Sequence, residues 1–384
     1  MSSLNVLPAD PVGSTGHRVQ SDGAIRVLAS GVDSLYMSAR GELQNGLDVA
    51  LRTTREMAND EDVVISYRDE DGSYLLRSHG WRGYPFWLSS PRFELYIGAA
   101  KPFPQAYVAL HSSFIHTVGV EKAVDSVHSE LGGVFFAGDP MFAPSRIDLY
   151  ADVQGWQPRS DDFGHFVCRA VRRKVFEQPS EMHQVGRMLS GFTFGRGAVV
   201  GRIYNKSLEM RVRGSTWQEL MWVDRDQDLP VWRIEFQFRR KALTSFGIQT
   251  MAAAMDNRQA LWEYGMRWLS LRVEGAHTKR SRWAENPVWS TLRDAPMGSP
   301  WSQLVRERIC AADERRLVSG FVGYMSSLAA MEDNGDISSA VARALPKAMR
   351  YLDERGSDFA GVVRRKSEMR KTRVSSAEQA GAQS

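Results

Sequence analysis

The sequence predicts an α+β fold, an antiparallel-rich sheet with helices on one side followed by a helical C-terminal region. Three observations predict it. Segments that alternate apolar and polar residues dominate 32–239, Gly and Pro punctuate them at hairpin spacing, and after residue 245 the apolar period lengthens to that of helices. With 384 residues, 43% of them apolar and 11 of them tryptophan, the chain can bury a large core.

In chain order, residues 1–24 are rich in Pro, Gly, Ser and Asp without apolar period, which predicts disorder. VDSLYMSARGEL (32–43) alternates as a strand does, and LDVALRTTREMA (47–58) has helical spacing. Strand-like segments follow at 73–79, 84–89, 93–98 and 105–111, then a helical EKAVDSVHSEL at 121–131. The strongest strands are SRIDLYADV (145–153), GAVVGRIYNK (197–206) and VWRIEFQFR (231–239). Gly195 and Gly197 flank Arg196 in a turn that makes 192–206 a hairpin, a simpler account than a phosphate-binding loop. Helices are predicted over 250–272, 303–331 and 338–354, the last broken or kinked near Pro346. The expected organisation is a disordered N-terminus (1–29), an α+β domain (30–275), a helical region (276–355) and a basic disordered tail (356–384).

Net charge is only +4, but the bases cluster as RAVRRK (169–174), RRK (239–241), KRSR (279–282) and RRKSEMRKTR (364–373). A local basic stripe neutralises phosphates and releases counterions, so nucleic acid is the leading partner, although any one cluster could equally be a solvated face. No run of 18 apolar residues and no signal-peptide layout occurs, which predicts a cytoplasmic protein without membrane contact. Cys168 and Cys310 are far apart and form no C-x-x-C pair, which argues against a disulfide scaffold or a cysteine zinc site.

Side chains alternate across a strand, so Arg146, Asp148, Tyr150 and Asp152 share one face of 146–153, and Ile147, Leu149, Ala151 and Val153 the other. By the same parity Arg233, Glu235, Gln237 and Arg239 oppose Trp232, Ile234, Phe236 and Phe238, and Arg202, Tyr204 and Lys206 share a polar face. If the three strands are neighbours, carboxylates, a tyrosine and several bases converge on one surface. Asp148, Asp152 and Glu235 would then be the hard-oxygen ligand set that Mg²⁺ or Mn²⁺ prefers. Tyr204 needs a nearby cation or metal to form phenolate, because its ordinary pKa is about 10; Arg202 and Lys206 could supply it, or hold phosphate oxygens. Periodicity alone also fits a solvated face whose cross-strand charge pairs contribute less than about 1 kcal/mol each.

These segments resemble the replication initiation factor family, the rolling-circle initiators of plasmids and phages with related conjugative relaxases. The resemblance rests on SRIDLYADVQG (145–155), GRIYNKSLEM (201–210), PVWRIEFQFRRKAL (230–243), LWEYGMRWLSLR (261–272) and NPVWSTL (286–292), and covers roughly residues 30–295. It implies a nickase-like sheet and a metal-dependent endonuclease that nicks one strand at an origin, remains attached through a 5′-phosphotyrosine, and later rejoins the DNA. Matched residue by residue, it implies Tyr204 as nucleophile, Asp148, Asp152 and Glu235 as ligands of Mg²⁺ or Mn²⁺, and Arg202, Lys206 and Arg233 as phosphate-facing helpers. Origin DNA, single-stranded at the nick, is the implied partner, with a host helicase and a homodimer as further expectations. The eight histidines include no H-x-H, so the usual histidine-metal nickase motif is absent. A conjugative relaxase of the same chemistry and a non-catalytic DNA-binding regulator are the competing readings.

Tyr150 shares the polar face and is the rival nucleophile. His111 and His116 have the spacing of helix-face metal ligands, but a strand at 105–111 favours structural roles for both. Trp262 and Trp268 fall in an amphipathic pattern and are expected in the core. Trp283, among Lys279, Arg280 and Arg282, is the better candidate for stacking unwound bases, as is Trp289 less strongly. Arg239, Arg240 and Lys241 are expected at DNA phosphates, and the C-terminal helices could add origin recognition, although no helix-turn-helix spacing stands out.

Overall fold

The computed structural model describes residues 25–66, 73–98, 103–170, 180–185, 188–299, 314–331, 335–354 and 356–364. Its centre is one 11-stranded sheet in which every paired strand is antiparallel. The strands are β1 (Arg26–Arg40), β2 (Val63–Ser66), β3 (Ser73–Leu76), β4 (Phe86–Ser89), β5 (Phe93–Ile97), β6 (Ala106–Leu110), β7 (Met141–Gln154), β9 (Ser180–Val185), β10 (Met188–Phe194), β11 (Val199–Asn205) and β12 (Trp232–Arg239). They run in the order β2-β3-β4-β5-β6-β1-β7-β12-β11-β10-β9. A small second sheet pairs β8 (Phe166–Cys168) with β13 (Leu269–Leu271).

The alternation read from sequence sets which face is core. Ile147, Leu149, Ala151 and Val153 are fully buried beside Ile234, Phe236 and Phe238 on the inner face. Against them pack α3 (Val120–Val134), α5 (Arg240–Ser245), α6 (Met251–Asp256), α7 (Arg258–Trp268) and α8 (Pro287–Arg293). Helix α7 comes so close that a Cβ on Gly265 would lie 2.6 Å from the Phe236 ring, so no larger residue fits there. The remaining helices of this unit are α1 (Leu47–Met57), α2 (Ser112–Val118) and α4 (Lys206–Arg213).

Contacts divide the chain into two compact units, Met1–Arg306 and Glu307–Ser384. The boundary expected near residue 275 therefore lies later. Asn286 caps α8 by accepting from the Val288 N–H, Pro287 occupies its first turn, and the helix buries Val288, Trp289 and Leu292 in the first unit. Residues 287–293, for which the apolar period predicted no helix, are thus a short capped helix. The predicted helix over 250–272 is α6 and α7, and its last residues are strand β13 instead. Strand β2 and helix α2, too short to carry a clear period, were not anticipated.

The second unit contains α9 (Glu314–Ala330) and α10 (Ile337–Asp353), the latter capped by Asp336, which accepts from the Ser339 N–H at 2.7 Å. The break expected at Pro346 does not occur. Proline forfeits one i→i−4 bond, while the cap and apolar contacts with α9 hold the rest of the helix. Of the ends expected to be disordered, 1–29 and 356–384, residues 1–24 and 365–384 lie outside the described residues, as do Cys310 and the basic residues 172–174 and 365–373, whereas 26–29 belong to β1 and 359–364 are helical.

Candidate functional site

Strands β7, β12 and β11 are adjacent, as the convergence of their polar faces required. Across β12 and β7, Arg233 pairs with Asp152, Glu235 with Tyr150, and Gln237 with Asp148; across β11 and β12, Arg202 pairs with Glu235 and Tyr204 with Arg233. Residues directly opposite on paired strands share a face. The surface so formed is not a solvated sheet face, since Asp148, Tyr150, Asp152, Arg233, Glu235 and Gln237 are all buried.

One half of it is closed. The Arg233 guanidinium, fully buried, gives Nε to Asp152 Oδ1 at 2.6 Å and Nη2 to Oδ2 at 2.8 Å, and Nη1 to Asp33 Oδ1 at 2.5 Å. Trp222 Nε1 also donates to Asp152 Oδ2 at 2.9 Å, and Ser112 Oγ to Asp33 at 3.1 Å. The guanidinium lies 4.0 Å over the Tyr150 ring, which meets His116 edge-on at 5.4 Å. Burial pushes Asp33 up, but Arg233, Lys206 and the Ser112 bond outweigh it and leave its carboxyl below the ordinary range. Burial holds the His116 imidazole below its ordinary pKa, against the pull of Asp33.

Three expectations change here. Arg233 cannot face phosphate, because it is 0% exposed and neutralised by two aspartates. Asp152 is 0% exposed and, unlike Asp148 and Glu235, does not line the neighbouring cavity, so it is not available to a metal beside them. Tyr150, 1% exposed beneath Arg233 and His116, is not placed to be a nucleophile.

The other half opens into a cavity of about 750 Å³ lined by Asp33, Tyr36, Arg146, Asp148, Arg202, Tyr204, Lys206, Glu209 and Glu235 among others. Tyr204 donates its hydroxyl hydrogen to Glu235 Oε2 at 3.0 Å. Arg202 gives Nη1 to Glu235 Oε1 at 2.7 Å and Nη2 to Gln237 Oε1 at 3.0 Å. Arg146 holds both oxygens of Asp148, with Nε at 2.8 and 3.0 Å and Nη2 on Oδ2. Strand β11 ends where Asn205 caps α4, accepting from the Leu208 N–H at 2.9 Å, and this turns Lys206 to place Nζ 5.8 Å from the Tyr204 ring and 2.8 Å from Glu209.

Tyr204 is no phenolate at rest. Burial and the Glu235 carboxylate raise its pKa well above 10, and this outweighs the cation Arg233. The expected help from Arg202 and Lys206 is blunted because Glu235 and Glu209 neutralise them. Asp148 is raised to about 7, first by burial and further by Glu235, against the pull of Arg146 and Arg202. Two carboxylates lining one cavity suit a divalent cation such as Mg²⁺, which is bound through one or two carboxylates plus substrate phosphate. Asp148 and Glu235 fit that pattern; a trio with Asp152 does not form, and among the described residues no group of three or more His, Cys, Asp or Glu is arranged to hold a metal.

The remaining sequence candidates lie elsewhere. Arg239 stands opposite Arg146 at the exposed end of β12, Arg240 donates to Pro144 O at 3.0 Å, and Lys241 is exposed. Trp283 gives Nε1 to His277 O at 2.6 Å and leans on His165, Arg280 donates to Gly164 O, and none of Lys279, Arg280, Arg282 and Trp283 lines the cavity. Trp262, Trp268 and Trp289 are core. His111 bonds Pro91 O and Glu94, at 3.1 and 3.2 Å, a structural role. Asp33, Tyr36 and Glu209 were not anticipated. Tyr36 has the parity of Ser34 and Ser38 and was findable, whereas Asp33 reaches the site through a register shift between Val32 and Ser34 that no pattern announces.

No family model matches this chain, and no curated protein matches it. Among solved structures, a rolling circle replication initiator protein from Geobacillus stearothermophilus aligns with a TM-score of 0.41 and 13% identity, over 74% of this chain and 100% of that chain.

Proposed function

We propose that the chain nicks and rejoins one strand of DNA through Tyr204, as an initiator of rolling-circle replication does. The observation that carries this reading is the Tyr204 hydroxyl, 3.0 Å from Glu235 Oε2 and beside Arg202 at the wall of an open cavity. A phenol already paired to a carboxylate has a proton acceptor in place before substrate arrives.

In the proposed reaction the Tyr204 oxygen attacks phosphorus of one phosphodiester while its proton passes to Glu235. The P–O3′ bond breaks, the departing 3′-oxygen takes a proton to become a free 3′-OH, and the 5′-phosphate stays on Tyr204. Attack by a 3′-OH on that phosphotyrosine reverses each step and returns the proton to the phenol oxygen. Arg202 and Lys206 neutralise charge on the non-bridging oxygens, and Arg239 and Arg146 hold flanking phosphates. Asp148 and Glu235 would hold Mg²⁺ or Mn²⁺, which when bound polarises the phosphodiester.

The test incubates purified protein with Mn²⁺ or Mg²⁺ and negatively supercoiled plasmid carrying its own replicon. Open circles with protein attached after denaturation, and a DNA-adducted peptide containing Tyr204, are the expected result. Intact supercoils with both metals would instead support a DNA-binding regulator without catalysis.

A further inference from the structure

The cavity side of the sheet carries a second patch of side chains, which meets the proposed site only at Tyr36 and Arg146. Register places Tyr107 opposite Ser38, Tyr96 opposite Tyr107 and Trp87 opposite Tyr96, on the face that Tyr36 shares with Arg146. Trp81 folds over them from the β3–β4 connection, stacked 4.4 Å from Tyr96 at 28° and 5.8 Å from Tyr107 at 29°. These rings form a cluster of their own, apart from the main core, and Trp81, Trp87, Tyr107 and Tyr36 remain only partly buried.

Arginines lie on these rings. Arg146 stands 4.7 Å over Tyr36, Arg82 4.7 Å over Trp81 and Arg77 5.2 Å over Trp87. Cation–ring pairs also occur elsewhere among the described residues, but three of them fall together on this one patch. Arg82 is held at φ 46° in a tight Arg82-Gly83 turn, closed by N–H to O bonds of 2.9 Å in both directions between Trp81 and Tyr84. Gly, Asn or Asp would sit there with less strain, yet the turn presents a guanidinium above Trp81.

Charge agrees with an anionic occupant. Glu94 is engaged by Trp87 Nε1 at 2.5 Å, Ser89 Oγ at 2.9 Å and His111 at 3.2 Å, and Asp62 holds Arg77 at 2.9 Å. Arg82 is exposed, and among the described residues its one recorded contact of this kind is the Trp81 ring. Tyr36 and Arg146 also line the cavity with Tyr204, so patch and cavity are one surface. Five strand steps separate β11 from β5. At about 4.8 Å per step this is roughly 24 Å, a span of several nucleotides.

We infer that this patch is a stacking platform for the unpaired bases of single-stranded DNA, guiding one strand along the sheet to the cavity. The inference rests on the reading of the Tyr204 site as one for a DNA phosphodiester. Flat rings accept any base, and each guanidinium can stack on a base or turn to a phosphate. A duplex keeps its bases stacked on one another and offers the rings nothing.

The experiment measures binding of a fluorescein-labelled dT20 and of an abasic chain of equal length by anisotropy, using the full chain and its Arg82→Ala, Trp81→Phe and Trp81→Ala variants. Wild type should bind dT20 at least about fivefold more tightly than the abasic chain. Trp81→Ala should lose that preference, Trp81→Phe should restore most of it, and Arg82→Ala should weaken both probes and flatten the salt dependence. Photocrosslinking of 5-iododeoxyuridine-substituted dT20, with peptide mapping, keeps the test open if Trp81→Ala fails to fold. Crosslinks within residues 79–107 support the platform; crosslinks confined to other peptides overturn it. Equal affinity for dT20 and the abasic chain also overturns it. A Tyr204 adduct formed with unchanged affinity in the Arg82→Ala and Trp81→Ala variants, and with crosslinks elsewhere, removes the platform and leaves the nickase reading standing. Base-dependent binding on this patch without any Tyr204 adduct supports the platform and removes the nickase reading.

Discussion

Tyr204 on β11 and Glu235 on β12 are joined by a 3.0 Å hydrogen bond from phenol to carboxylate, two residues off direct register, because Tyr204 stands opposite Arg233 and Glu235 opposite Arg202. The diagonal matters. It lets one carboxylate take the phenol on Oε2 and Arg202 on Oε1 at 2.7 Å, so the proposed nucleophile and the proposed phosphate-binding cation are held by a single group.

Removal of the hydroxyl should therefore separate chemistry from binding. Tyr204→Phe is expected to form no covalent adduct while keeping single-stranded DNA affinity within about twofold, and to lose about 2 kcal/mol of stability from the bond to a charged acceptor. Glu235→Gln keeps the shape and removes the proton acceptor, and should slow adduct formation by about 10²-fold or more. Denaturing gels for the adduct, anisotropy for binding and urea titration for stability measure the three quantities. An adduct in Tyr204→Phe would assign the nucleophile to another residue.

The closed half of the site makes an opposite demand on stability. Arg233 is buried with Asp152 and Asp33 as its counter-charges. Asp152→Ala leaves that cation underpaired, as well as leaving the Trp222 indole without its acceptor, and should cost about 3–5 kcal/mol. Arg233→Met alone should cost a similar amount by stranding two carboxylates, while the double variant Arg233→Met/Asp152→Ala should cost less than the sum of the singles. Urea midpoints for the four proteins test the coupling, and strict additivity would contradict it.

These two halves mark how far the sequence could be read. Alternation in 146–153 and 231–239 made their inner and outer faces plain, because apolar side chains at every second position leave one arrangement for a buried strand. The Gly195–Gly197 turn was equally plain, whereas the adjacency of β7, β12 and β11 was only a condition of that reading and comes from the register of the folded sheet. Burial of the polar face did not. Trp222 and His116 close it from a loop and a short helix without periodicity, and their approach to Asp152 and Tyr150 depends on tertiary packing. Asp152 and Arg233 thus looked like reacting groups and are each other's partners. Similarly, the aromatic patch arises from β4, β5, β6 and the Trp81 turn, whose rings are scattered in sequence and meet only through strand register.

Asp148 gives the site a pH signature. Its carboxyl titrates near 7 in the folded protein, raised by burial and by Glu235, so between about pH 4 and 7 the folded state binds more protons than the unfolded one. Its contribution to stability therefore declines as pH rises through that window and the penalty is complete above about 7. Wild type minus Asp148→Asn, compared by urea unfolding at several pH values, should show this slope at an amplitude on the order of a few kcal/mol. Taking the difference cancels groups such as Asp33, whose lowered pKa acts in the other direction. A flat difference across pH 4–7 would contradict the assignment.

A divalent cation should reverse that penalty. Ligation needs the ionised carboxylate, so Mn²⁺ or Mg²⁺ should raise the melting temperature more at pH 8 than at pH 6, and Asp148→Asn should abolish most of the rise. Lys279→Ala, far from the cavity lining, should leave it unchanged. A shift independent of both pH and Asp148 would move the metal away from this cavity.

Gly191 offers a test of geometry without touching a charged group. It lies on β10 opposite Tyr204, and a Cβ built there would fall 2.4 Å from Ile203 O and 2.8 Å from Tyr204 Cβ. Backbone cannot yield that far without spreading the β10/β11 pair, so Gly191→Ala must displace Tyr204 from its place beside Glu235. Arg202 and the aromatic patch are anchored by β12 and by strands across the sheet, and are left in place. The variant should fold with a loss of about 1–3 kcal/mol, bind single-stranded DNA nearly as wild type does, and form the adduct at least about tenfold more slowly, since small misplacements of a reacting group are costly. Wild-type adduct kinetics in Gly191→Ala would mean that the Tyr204–Glu235 bond does not position the nucleophile.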